Sequence, residues 1–207
     1  MIKDHPIFIE SINFIRSQLP THNLNQLETN VLERLVHTSG DFSICSLLKF
    51  SKFACENARK AILSGAPVLT DTDMAAVAIK SMAENAHGNL VFSAKNWVKD
   101  NKEYSSTKTA YGIEKGWLEL SKKYYGYSSP IVIFGSSPTA LEKLLEILDG
   151  SKQEPSLIIG MPVGFIGVER SKRKLLESKY SYIVLESTRG GAAMAAAAMN
   201  ALLRSTI

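Results

Sequence analysis

Five short apolar runs, spaced by helix-length segments, constrain this chain more than any other feature. They are Val68-Leu69-Thr70, Leu90-Val91-Phe92-Ser93, Ile131-Val132-Ile133-Phe134, Leu157-Ile158-Ile159 and Ile183-Val184-Leu185. Each is three or four residues long, and β-branched side chains dominate them. Short strands alternating with helices read as βαβ units. A strand that is apolar on both faces must be covered on both, as in a parallel sheet between two helical layers. The intervening segments read as helices: Met74 to about Met82, Thr107 to Tyr124, Ala140 to Leu148, about Glu169 to Lys179, and Ala192 to Leu203. The expected fold over residues 61–207 is therefore α/β: a doubly wound, mainly parallel five-stranded sheet with helices on both faces.

Residues 1–60 lack that alternation and read as an N-terminal helical extension packed on or across the sheet. Pro6 to Leu19 is one helix, with Ile7, Phe8, Ile12, Phe14, Ile15 and Leu19 apolar. Leu24, Leu27, Val31 and Leu35 recur at spacings of three and four, a buried helical stripe, and Gly40 supplies the stop. Asp41 to Ser51 reads as a short helix and bend, and Phe53 to Ser64 as a further helix. Lys95 to Ser106 is polar and aperiodic and reads as a mobile loop.

With 207 residues and 45% hydrophobic content, the chain can bury a sizeable core in one compact unit. The formal charge of +4 is mild. The Lys and Arg residues do not gather into a stripe with interleaved aromatics, which argues against a nucleic-acid partner. Cys45 and Cys55 form neither a disulfide framework nor a zinc motif, and both are expected reduced. No run approaches the ~18 apolar residues of a membrane span. Met1 to Pro6 has no apolar signal core, so the expected location is cytoplasmic.

Ligands of such sheets sit beyond the carboxyl ends of the strands. The unusual turns fall there: Thr70-Asp71-Thr72-Asp73, Gly135-Ser136-Ser137-Pro138-Thr139, Gly160-Met161-Pro162-Val163-Gly164 and Thr188-Arg189-Gly190-Gly191. Free N–H groups at such turns favour anions. None matches GxxxxGK[ST] or a full GxGxxG, so nucleotide binding has little support. Without a GxSxG elbow, Ser136, Ser137 and Thr139 read as helix caps, and Asp71 and Asp73 as caps rather than metal ligands. Arg34 and His37 stand apart. Three residues apart at a helix end, they fall at the margin of the apolar stripe. A histidine there can hold a proton near neutral pH, and an arginine one turn away can grip a carboxylate. The plainer reading is a surface histidine and arginine near a helix carboxyl end, where the dipole welcomes cations. Spacing alone leaves both open.

Several ordered motifs together resemble the precorrin-8X and cobalt-precorrin-8 methylmutases of corrin biosynthesis. They are Ser11 in the first helix, Arg34-Leu-Val-His37-Thr-Ser-Gly-Asp41, Gly65-Ala-Pro-Val-Leu-Thr-Asp71 with Met74, Pro138-Thr-Ala-Leu141, Ile159-Gly-Met-Pro-Val-Gly-Phe165-Ile-Gly167, and Arg189-Gly-Gly191 running into Met194 to Leu202. The likeness covers nearly the whole chain. It implies an isomerase that moves a methyl group from C11 to C12 of a corrin precursor to give a cobyrinic acid. It also implies a cytoplasmic homodimer with no cofactor of its own, any cobalt belonging to the tetrapyrrole substrate. The family's catalytic histidine matches His37, and its substrate-binding serine and arginine match Ser11 and Arg34. Thr38, Thr70, Asp71, Lys108, Ser136, Arg189 and Gly190 are expected to complete the substrate contacts. The chain departs from the family at three points. It has Thr107-Lys108-Thr109-Ala110 for the usual Thr-Arg-Ser-Ala, Gly135-Ser136-Ser137-Pro138 for Gly-Asn-Ala-Pro, and Ser187-Thr188 for a Gly-Arg pair. Lys108 keeps the charge but loses the bidentate fork. These changes leave room for a second reading, a non-catalytic relative that carries the corrin product.

Overall fold

The computed structural model describes residues 5–99 and 103–207. In chain order the elements are α1 (Pro6–Gln18), α2 (Gln26–Ser39), β1 (Leu48–Phe50), α3 (Ala54–Leu63), β2 (Val68–Thr70), α4 (Asp73–Ala86), β3 (Val91–Ser93), α5 (Lys108–Lys123), β4 (Ile131–Phe134), α6 (Pro138–Leu148), β5 (Leu157–Gly160), α7 (Val168–Leu176), β6 (Tyr182–Leu185) and α8 (Ala192–Arg204). All five expected strands are present, and the α/β architecture is as expected.

Among the described residues the sheet has six strands rather than five, in the order β1-β6-β5-β4-β2-β3. The sixth, β1, comes from the segment read as helix and bend. It pairs antiparallel with β6, Leu48 opposite Leu185 and Phe50 opposite Ile183. Three residues at a sheet edge, alternating buried Leu48 with exposed Lys49, are too short a pattern to register in sequence. The other pairs are parallel, with Leu69 opposite both Phe92 and Val132. The expected loop from Lys95 begins instead as a 3₁₀ turn over Ala94–Trp97, capped by Ser93 and Asn96. Its residues 100–102 lie outside the described residues.

Alternation along each strand divides the core in two. Ile131 and Ile133 face one way with Ile159 and Ile183, against α2, α3, α4 and α8. Val132 and Phe134 face the other with Ile158 and Val184, against α5, α6 and α7. The Ala195–Ala198 run of α8 is buried, and the helix packs between α2 and α4. Small side chains permit that close approach, and enlarging one would cost roughly 1–3 kcal/mol in overpacking. The outer layer is completed by α1, which lays Ile12 and Ile15 on this same cluster.

Candidate active site

Two helices build the site. A proline in its first turn opens α1, and α2 opens with a reciprocal cap: Glu28 N–H donates to Asn25 Oδ1, and Asn25 N–H to Glu28 Oε2. Gly40 closes α2 in the left-handed conformation, φ +64°, and its N–H donates to the Val36 carbonyl. His37 therefore stands in the last helical turn, exposed. Arg16 fastens α1 to α2 through two bonds to Glu33, Nε at 2.5 Å and Nη2 at 2.9 Å. Glu33 is only 4% exposed, so its charge depends on that fork.

Two clefts flank α1. The first, of about 520 Å³, holds both Ser11 and His37 against apolar walls that include Phe14, Ile15, Val36 and Phe42. The Ser11 hydroxyl donates to the Ile7 carbonyl at 2.9 Å. Its lone pairs stay open to a ligand, and donating to one requires a rotation about χ1. The second cleft, of about 310 Å³, is lined by Arg34, Asn13, Asn30, Arg16 and Arg204. Phe8 joins the two. Its ring meets the His37 imidazole edge to face at 5.3 Å and lies 4.8 Å from the Arg34 guanidinium carbon and 5.5 Å from that of Arg204. Arg34 and His37 thus line neighbouring clefts and both touch the Phe8 ring; of the expected site residues only Ser11 shares the His37 cleft, which Glu10 also lines. Neither Phe8 nor Arg204 stood out in the sequence. Phe8 lay within an ordinary apolar stripe, and Arg204 fell just past the expected end of the last helix.

The remaining expected contacts are distributed differently. Thr38 is exposed on the same helix end and donates to the Arg34 carbonyl at 2.8 Å. Thr70 is buried and donates to the Thr72 carbonyl at 2.8 Å. Asp71 is buried at the end of β2. Its Oδ2 accepts three N–H bonds, from Gly135 at 3.0 Å, Ser136 at 2.6 Å and Ser137 at 2.9 Å. Burial pushes the Asp71 carboxyl up from the usual range, and the three donors pull it back. Asp71 therefore pins the turn after β4 from below. Ser136 exposes its hydroxyl above that turn. Lys108 is exposed in the first turn of α5, where Thr107 caps the helix and meets Thr139 at 2.9 Å.

Arg189 turns toward α2. Its guanidinium pairs with Asp41 and donates to Ser43 Oγ at 2.7 Å. Donors from Ser43, then Arg189, hold the Asp41 carboxyl below the usual range. At Gly190 a Cβ would fall 2.0 Å from the Met161 carbonyl oxygen, so only glycine fits, at φ +155°. Thr70, Asp71, Lys108, Ser136, Arg189 and Gly190 do not line the His37 cleft. Among the described residues no group of three His, Cys, Asp or Glu side chains could hold a metal ion.

Comparison with known proteins bears on this arrangement. The family model for precorrin-8X methylmutase (CbiC) matches residues 6–205. The chain is similar to the precorrin-8X methylmutase of a Sinorhizobium species, 32% identical over 96% of this chain and 93% of that protein. It is 28% identical to the cobalt-precorrin-8 methylmutase of a Synechocystis species, over 97% of this chain and 95% of that one. Its fold is similar to the crystal structure of precorrin-8X methylmutase from Thermus thermophilus, with a TM-score of 0.84, 30% identity, and coverage of 97% and 95%. A His-bearing cleft between two helices, on a sheet of this topology and with this match along almost its whole length, places the chain in the precorrin-8X methylmutase family, isomerases of cobalamin biosynthesis.

Proposed function

We propose that this chain moves a methyl group from C11 to C12 of precorrin-8 or its cobalt form, with His37 as the general acid. A methyl shift on a conjugated macrocycle needs neither nucleophile nor redox centre. It needs the ring held in one conformation and a proton placed to favour rearrangement. His37 in the imidazolium form donates that proton and recovers it once the methyl has moved, so the reaction is balanced as an isomerisation. Ser11 and Arg34 hold the substrate, Arg34 through one of its carboxylates. The observation that carries the reading is the cleft holding an exposed His37 beside Ser11 against largely apolar walls, with Arg34 in the neighbouring cleft and in contact with the same Phe8 ring.

The test is His37→Ala incubated with the tetrapyrrole and followed by absorbance, since migration changes the conjugation. Turnover should fall about 10²–10⁴-fold, the usual worth of a general acid, with ligand affinity within a few-fold of the parent. An unchanged rate refutes the role of His37. The protein is proposed to work as a homodimer in the cytoplasm. Phe165 and Ile166, 88% and 90% exposed on the turn after β5, supply apolar surface for a second copy. Sedimentation of the parent and of a Phe165→Ser, Ile166→Ser variant tests that contact. No described helix is long and apolar enough to cross a membrane.

A further inference from the structure

Lys172 lies on α7 with its ammonium out of water, the residue only 1% exposed. Lys172 Nζ donates to two backbone carbonyls, Ser187 at 2.8 Å and Arg189 at 2.5 Å. A buried ammonium is costly unless its protons find acceptors. Burial pulls this one down to about 8, so the fold carries a real electrostatic cost here. A side chain of similar length without charge could fill the same space, which points to what the charge holds.

What it holds is a segment that does not relax into its shape unaided. Between β6 and α8 the chain passes through Ser187 at φ +63°, a left-handed conformation rare for a non-glycine residue, then Gly190 at +155° and Gly191 at +124°. Two backbone bonds also tie it to the turn after β5: Gly164 N–H donates to the Thr188 carbonyl at 3.1 Å, and Gly191 N–H to the Met161 carbonyl at 2.9 Å. From this segment Arg189 reaches Asp41 and Ser43. Asp41 follows Gly40, the residue that closes α2, and stands four positions from His37.

We infer that Lys172 is a positioning residue: its two bonds fix residues 187–189 so that Arg189 pins Asp41, holding the carboxyl end of α2 and the His37 imidazole in the cleft shared with Ser11. Lys172 touches neither the cleft nor a substrate and acts only through Arg189. The inference rests on the reading of His37 as the proton donor, and its test includes a measurement that does not depend on turnover.

That test uses the full chain as Lys172→Met, Arg189→Gln and the double variant. Histidine ring signals are recorded by NMR, with His37 assigned from a His37→Gln spectrum. In Lys172→Met the His37 signals should move or broaden while those of His22 and His87 stay. The Gly190 and Gly191 amides should exchange faster. Turnover should fall about tenfold to a hundredfold, the effect of a displacement near 1 Å, with KM within about threefold. Because the path is serial, the double variant should be no slower than the worse single variant. Unmoved His37 signals, or losses that multiply, overturn the inference. Should Lys172→Met not fold, Arg189→Gln and Asp41→Asn carry the test alone, and an unmoved His37 in both overturns it. Should the parent itself not isomerise precorrin-8, the functional reading fails, while the ring signals still decide the clamp.

Discussion

The carboxyl edge of the sheet and the α1–α2 pair are built from the same kinds of residue, yet they dispose of their polar groups in opposite ways. At the sheet edge Thr70, Asp71 and Arg189 are engaged by the chain itself. The strand order reverses between β2 and β4, where an α/β sheet ordinarily opens a ligand crevice. Here Asp71 at the end of β2 takes three N–H groups of the turn after β4 and closes that point with the chain's own atoms. Gly190 seats against Met161, and Arg189 is engaged by Asp41. Between α1 and α2 the groups turn outward. His37 is exposed and Ser11 half-buried on an open cleft. The contrast teaches that topology selects where a crevice can form, whereas side chains decide whether it stays open. In this protein the edge serves as a frame, and the proposed chemistry lies on helices laid over it.

If that division is right, variants in the two regions should fail in different currencies. The largest effect is that of His37→Ala, about 10²–10⁴-fold in turnover, with a melting temperature near the parent's. A comparable loss of stability would make His37 part of the frame. Next is Asp71→Ala, which leaves three N–H groups without their acceptor, that of Gly135 buried and those of Ser136 and Ser137 partly so, and should cost about 3 kcal/mol in urea unfolding. Asp71→Asn keeps an acceptor oxygen and should cost less. A tetrapyrrole affinity that collapses in Asp71→Asn while stability holds would put Asp71 among the ligand contacts and break the comparison.

The pH dependence of Lys172 comes third. Its folded value of about 8 lies below the ordinary 10.5. Between the two, the unfolded chain holds the proton that the folded chain releases, so stability should rise with pH across that window. Relative to Lys172→Met, the parent should gain about 1–3 kcal/mol from pH 8 to 10.5, read from unfolding midpoints. A flat difference would place the ammonium in water. The smallest effect is Arg16→Ala, which leaves buried Glu33 without its fork. With Arg16 half-exposed, a loss of about 1–2 kcal/mol is expected, smaller in high salt. Turnover should fall alongside, because α1 forms one wall of the His37 cleft. Stability lost without turnover would show that the cleft does not need this tie.

Much of this was legible before any fold was known. The β-branched runs marked β2 to β6, and the three-and-four spacing of Leu24, Leu27, Val31 and Leu35 placed His37 at the edge of a buried stripe. The ordered motifs from Ser11 and the Arg34–Asp41 stretch through to the glycines at 190 and 191 together pointed to the family. What escaped notice had no local signature. β1 offered three residues of alternation, Phe8 resembled any other core aromatic, and Lys172 looked like one more cation in a charged helix. Asp71 was visible as an acid in a turn, but its three donors lie more than sixty residues away.

By itself the chain determined its elements, the two-faced sheet and the helix end that carries His37. Those follow from periodicities of two and 3.6 residues, and hydrophobic burial reads such patterns among near neighbours. Only the folded arrangement decided that Asp71 closes the switch point, that Phe8 touches both His37 and Arg34, and that Arg189 meets Asp41 across 148 positions. Those outcomes depend on how strands register and helices cross, and hydrogen bonds of a few ångströms respond only to the final separation of their partners.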